Sequence, residues 1–122
     1  MKVNSSMITR AERHPIRWSA RIGHKYAGVT SGRVIDISYS GIRFLSRSSF
    51  NLGDMAEVEA YLDGRQDCRL VVSVTREQPA GEGWFCYGAE YQGMSPSSRH
   101  ILLDAVNQIE RKKSKGQYVL LR

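Results

Sequence analysis

The feature that most limits the fold is a two-residue apolar rhythm that recurs in short runs, each cut by glycine or aspartate. Arg33-Val34-Ile35-Asp36-Ile37-Ser38 is β-branched and alternating, and Ser40-Gly41 ends it; Ile42, Phe44 and, less regularly, Leu45 form the next run, closed by Leu52-Gly53-Asp54. Successive side chains of a strand point to opposite faces, so this rhythm describes half-buried strands and not helices. Met55–Leu62 and Arg65–Thr75 flank Asp63-Gly64, a pair whose tolerance of positive φ predicts a two-residue hairpin turn. Gly81-Glu82-Gly83 turns the chain once more before Trp84–Tyr91, where Phe85, Tyr87, Ala89 and Tyr91 share one side. With a short strand from Arg17 to about Lys25, the pattern is an antiparallel meander whose edges need protection. Closure protects them, so the predicted fold is mainly β, a six-stranded antiparallel β-barrel.

The rhythm changes at Ser95-Pro96, an N-cap followed by proline at the first helical position, after which Leu102, Val106 and Ile109 recur at helical spacing. A C-terminal α-helix from about Pro96 to Lys112 is predicted, its apolar stripe covering the open mouth of the barrel or one sheet face. A chain of 122 residues buries enough surface for one core and not two. Pro15 and weak periodicity make residues 1–16 read as an exposed arm. The expected division is a flexible arm over 1–9, the barrel and helix over 10–113, and a basic tail over 114–122.

Charge is unevenly placed. Residues 1–50 carry a net +7, residues 51–110 a net −6 and residues 111–122 a net +5. Basic ends around an acidic middle describe a localised anion-attracting face. No stretch reaches the roughly 18 to 20 apolar residues of a membrane span, and the first residues lack the apolar run of a signal peptide, so a cytoplasmic location without membrane insertion is expected. Cys68 and Cys86 stand singly in apolar runs, which predicts buried free thiols. His14, His24 and His100 fit no metal-ligand spacing, and no nucleophile elbow, phosphate loop or dinucleotide fingerprint occurs. The expected protein is therefore not an enzyme, with no metal and no cofactor.

Two elements carry candidate chemistry. Arg10, Arg13, Arg17 and Arg21 follow one another with few acids to pair with, and the planar guanidinium fork suits phosphates and flat bases. In an extended segment Arg13 and Arg17 point to one side roughly 13 Å apart, far enough to clasp one ligand from two sides. The second element is Asp36-Ile37-Ser38-Tyr39-Ser40-Gly41, where Asp36 and Ser38 face one way at a strand's end while Ile37 faces the core. A carboxylate there accepts the paired N–H donors of a guanine edge, Ser38 reaches phosphate or base, and Gly41 permits a sharp turn or a close ligand approach.

Arg13-x-x-x-Arg17, eighteen intervening residues, and Asp36-x-Ser38-x-x-Gly41 together resemble the signature of the PilZ family, the bacterial cyclic di-GMP receptor domain. Residues 32–44 look like that family's second and third strands, Leu52-Gly53-Asp54 like the turn that follows, and Tyr87-Gly88-Ala89-Glu90-Tyr91 like its last barrel strand, so about residues 10–110 are covered. Arg17 and Arg21 share the arginine spacing, but Arg21 falls inside the first strand; Glu12 departs from the basic or apolar residue many members carry there. The resemblance implies a split barrel capped by a C-terminal helix that binds cyclic di-GMP without turnover. By family role Arg13 and Arg17 would hold phosphates and stack on guanine, while Asp36, Ser38 and Gly41 would engage the guanine and its phosphate; Arg10, Ser40, Arg43 and Gly88 are further candidates. It also implies an output through an unidentified downstream effector protein, as in bacterial second-messenger control of motility, pili or biofilm. The two competing readings are a PilZ-fold interaction module that binds no nucleotide, which would lack these residues, and a small basic nucleic-acid-binding barrel, which would need more aromatic surface than Trp18 in the arginine segment.

Overall fold

The computed structural model describes residues 13–25, 27–62 and 66–121, with side chains described for all of these except 66 and 113–121. Among the described residues six strands run in chain order, β1 His14–His24, β2 Gly28–Ile37, β3 Gly41–Ser46, β4 Met55–Leu62, β5 Gln66–Pro79 and β6 Phe85–Met94, followed by the helix α1 Pro96–Leu121. Every pairing is antiparallel, and the ring β1-β2-β3-β6-β5-β4 closes where Ser19 to His24 of β1 meet Tyr61 to Ala56 of β4. The chain is thus mainly β with one C-terminal helix, as its two-residue rhythm predicts.

The strand order is not a meander: β3 pairs with β6, and β4 with β1. Residues 47–54 carry the chain from β3 to β4 across one mouth of the barrel. Phe50 drops from that loop into the core, meeting Phe44 and Tyr87 edge-on, and its backbone N–H donates to the Tyr87 hydroxyl at 2.8 Å. α1 closes the other mouth with Leu102 and Val106, which join the inward side chains of all six strands. Its start follows the predicted chemistry, since Ser95 Oγ accepts the N–H of Ser98 at 3.1 Å and Pro96 opens the first turn.

Two boundaries depart from the sequence reading. β1 begins at His14, not Arg17, and His14 is only 1% exposed, so residues 14–16 belong to the wall and not to an arm. Pro15 is tolerated because β4 reaches no farther along β1 than Ser19, leaving the proline with β2 as its only neighbouring strand. α1 continues to Leu121 where an end near Lys112 was predicted, so most of the expected tail 114–122 is continuous with the helix. No proline interrupts residues 111–121, and Gly116 weakens a helix without removing a hydrogen bond. Residues 1–12, Arg10 with them, and the turn pair Asp63-Gly64 lie outside the described residues; the hairpin they were expected to join is present, with Leu62 opposite Gln66.

Candidate functional site

The two sequence elements come together at the end of the barrel that α1 covers, and β-bulges aim them. On β2, Val34 lies opposite Phe44 and Asp36 opposite Arg43, so Ile35 is an extra, unopposed residue. In an unbroken ladder Ile35 would face Arg43; the bulge substitutes the carboxylate. A second bulge on β1, between Pro15 and Trp18, lies at the same level and carries Arg17. Asp36 Oδ1 accepts from Arg13 Nη1 at 2.8 Å, and Oδ2 lies 3.4 Å from Arg43 Nη1. The carboxylate is 11% exposed against 41% for the Arg13 side chain, so a nearly buried acid is roofed by a half-open guanidinium. Arg17 is exposed on β1 and touches neither Asp36 nor another acid among the described residues.

Ser38 and Gly41 bound the turn that joins β2 to β3. Ser38 is fully buried, and its Oγ accepts the N–H groups of Ser40 and Gly41, both at 3.2 Å, while lying 3.1 Å from Ser40 Oγ. A hydroxyl so engaged organises the turn. The Ser38 N–H donates to Gly41 O at 3.0 Å, and from β6 the Tyr91 hydroxyl donates to Ser38 O at 2.8 Å while the Tyr91 N–H donates to Ser40 O at 3.2 Å. Burial is the main reason that the Tyr91 phenol is held far above its ordinary range, so it stays a donor. Gly41 has no left-handed φ; a Cβ there would overlap the carbonyl oxygen of Ala89. What requires glycine is the close approach of β3 to β6. Ser40 is exposed at the rim, and Gly88 of β6 lies opposite Arg43.

The helix holds both elements, which sequence reasoning missed. His14, between the arginines, turns inward, and its Nε2 donates to Glu110 Oε2 at 3.2 Å. Tyr39, inside the second motif, donates its hydroxyl to Asn107 Oδ1 at 2.6 Å and stands 3.4 Å from Glu110 Oε1. Glu110 thus bridges the two segments, and with lesser weight than desolvation it also raises the Tyr39 phenol pKa. A signal existed: Glu110 lies four residues beyond Val106, a carboxylate on the helix's apolar stripe.

Chemically, Arg13 and Arg43 converge on one carboxylate and Arg17, unpaired among the described residues, stands on β1 nearby, a local surplus of positive charge with fork geometry suited to phosphate. Asp36 supplies the acceptor pair that a guanine edge requires. A separate groove of about 500 Å³ on the outer wall, lined by Arg21, Val29, Glu57, Glu59, Arg69 and Met94 among others, lies away from this cluster, and its charges are matched, Glu59 lying 3.4 Å from Arg69.

A family model described as PilZ domain matches residues 9–108. Among solved structures, the chain is similar to YcgR of Escherichia coli in complex with c-di-GMP, at 15% identity and a TM-score of 0.70 over 90% of this chain and 50% of that one. It is likewise similar to the PilZ domain of YcgR with c-di-GMP (13% identity, TM-score 0.65, 88% and 95% covered). A third is the Bacillus subtilis inhibitor of motility MotI/DgrA (15% identity, TM-score 0.69, 85% and 51% covered). The chain spans about half the length of the MotI and complexed YcgR chains. No curated protein matches. At these identities the structural likeness is one of fold.

Proposed function

The chain belongs to the PilZ domain family, and we propose that within it this protein is a receptor for cyclic di-GMP that reports occupancy to a partner protein by a change of shape. The observation that carries the reading is the Arg13 guanidinium 2.8 Å from the Asp36 carboxylate, which joins two motifs twenty-three residues apart in one cluster. The complexes of YcgR with c-di-GMP support the choice of ligand. Binding proceeds by exchange. A phosphate takes the forks of Arg13 and Arg17, the guanine edge takes the Asp36 oxygen that Arg13 leaves, and Arg43 stays on the other oxygen. No bond is made or broken, so the product of binding is a conformation.

That conformation reaches α1 through its two ties. A shift of Arg13 moves His14, a shift of the Ser38–Gly41 turn moves Tyr39, and both bear on Glu110. The helix position then differs between free and occupied protein, and a cytoplasmic effector protein reads the difference. Titration calorimetry tests the reading: the wild type should release heat with cyclic di-GMP at micromolar protein, and Arg13→Ala or Arg17→Ala should weaken binding at least tenfold. Amide resonances of Asn107 and Glu110 should move on saturation. A silent wild-type titration removes the receptor reading, and binding that leaves the helix resonances unmoved removes the signalling route.

A further inference from the structure

We infer that the nucleotide site continues along the outer wall beyond Asp36 into a slot floored by Gly88 and walled by Arg43 and Arg76, and that Arg76 holds the second phosphate of the dinucleotide. The inference rests on the receptor reading above. Strand register draws one row across the wall: Asp36 of β2 lies opposite Arg43 of β3, Arg43 opposite Gly88 of β6, and Gly88 opposite Arg76 of β5. Three strand spacings put the ends of that row roughly 14 Å apart along the wall, the scale of a cyclic dinucleotide.

The row is marked by where the ladder breaks. β5 has a register shift between Val74 and Arg76 opposite Ala89 and Gly88 of β6, so Thr75 is the extra residue. Unbroken pairing would put Thr75 opposite Gly88. Instead its Oγ1 donates to Gly88 O at 3.3 Å, and Arg76 takes the place on the row. The bulge on β2 makes the same exchange, Asp36 for Ile35. Two bulges at one level, each replacing an uncharged residue by a charged one, are built features of the wall.

Gly88 is buried beneath the two arginine stems, and the want of a side chain is what leaves room for an anion when those flexible stems part. A Cβ on Gly88 would meet Arg76 Cβ at 3.4 Å and Arg43 Cγ at 3.9 Å, so even a methyl fills the gap between the arginine stems. Arg43 Nε is buried with no hydrogen-bond partner, a donor left for an anion that enters as the stems part. Arg76 is exposed and has no ion pair among the described residues. Glu90, two residues along β6, borders the slot from the next row, opposite Gly41 and Ser73, and leaves the arginines in excess. A ring nucleotide carries two phosphodiesters; Arg13 and Arg17 grip one, and the slot receives the other.

Titration calorimetry with cyclic di-GMP on the wild type, Arg76→Ala and a charge-matched control, Arg69→Ala from the distant groove, decides the matter. Arg76→Ala is expected to bind more than fivefold more weakly than Arg69→Ala, and Gly88→Val, which keeps both guanidinium groups and fills the slot, to lose affinity comparably. A difference of less than fivefold between the two arginine variants, in a wild type that binds, overturns the inference. A wild type that gives no heat overturns the receptor reading beneath it.

Discussion

On the flank of the barrel formed by β1, β4 and β5, pairing runs without a break from Ser19–Tyr61 to His24–Ala56 and from Met55–Ser73 to Leu62–Gln66, and Arg69 lies 3.4 Å from Glu59 and 3.8 Å from Asp67. On the flank where β1, β2 and β3 meet, the ladder breaks on β1 and β2, and Arg13 and Arg43 share the single carboxylate of Asp36. Both flanks bear arginines, and the first also carries the groove of about 500 Å³. What separates them is the balance of charges and the regularity of the strands: matched ions on an even ladder make a solvated surface, whereas surplus guanidinium on a bulged ladder makes a place for an anion.

That contrast fails first if acids on the two flanks behave alike. Asp36→Ala should weaken cyclic di-GMP about a hundredfold, roughly 2.7 kcal/mol, because it removes the guanine acceptor; Glu59→Ala should stay within twofold, both read by calorimetry. Equal losses would mean that only overall charge matters. A comparison of glycines sharpens the structural half. Gly41→Ala drives a methyl into the Ala89 carbonyl, whereas on the other flank a Cβ on Gly23 meets nothing nearer than 3.6 Å. Gly41→Ala should destabilise by about 1–3 kcal/mol and Gly23→Ala by less than about 0.5 kcal/mol, measured by urea unfolding.

Smaller effects follow at the helix and at high pH. Glu110→Ala leaves buried His14 without its carboxylate and should cost about 1–2 kcal/mol, against less than about 0.5 kcal/mol for Arg69→Ala, whose ion pairs are at the surface. On the groove flank burial pushes the Cys68 thiol up to about 11 from its ordinary 9.0. The folded protein therefore keeps a proton that the unfolded chain releases above pH 9, so this contribution to stability is intact below pH 9 and lost as pH rises toward 11. The melting temperature should decline over that window, less steeply in Cys68→Ala, and a thiol reagent at pH 8 should leave Cys68 of the native protein unmodified.

The strands, the capped helix and the pairing of the two motifs were legible because alternation, turn residues and the N-cap are local signals. Ile37 facing the core between Asp36 and Ser38 is one such reading, and the buried thiols are another. Bulges were not legible. An extra residue such as Ile35 or Thr75 changes no composition, and only the partner strand reveals the count, which is why Arg76 drew no notice. For Ser38 and Gly41 the hydroxyl and the glycine suit both a ligand and a turn, and their contacts with Tyr91 and Ala89, half the chain away, were not legible in the local sequence. His14 was lost to an arm that Pro15 seemed to require, since the sequence does not say that β4 stops short of it.

The tie between His14 and Glu110 joins residues ninety-six positions apart. Such a contact forms only after the chain between has been ordered, so it should belong to the final stage of folding, later than the β4–β5 hairpin. Mutations at Glu110 would then hasten unfolding while leaving the refolding rate nearly unchanged. The same late, loosely enforced closure would let the helix end part from the wall without melting the sheet, giving the molecule a hinge whose opening is slower than side-chain motion and far faster than denaturation.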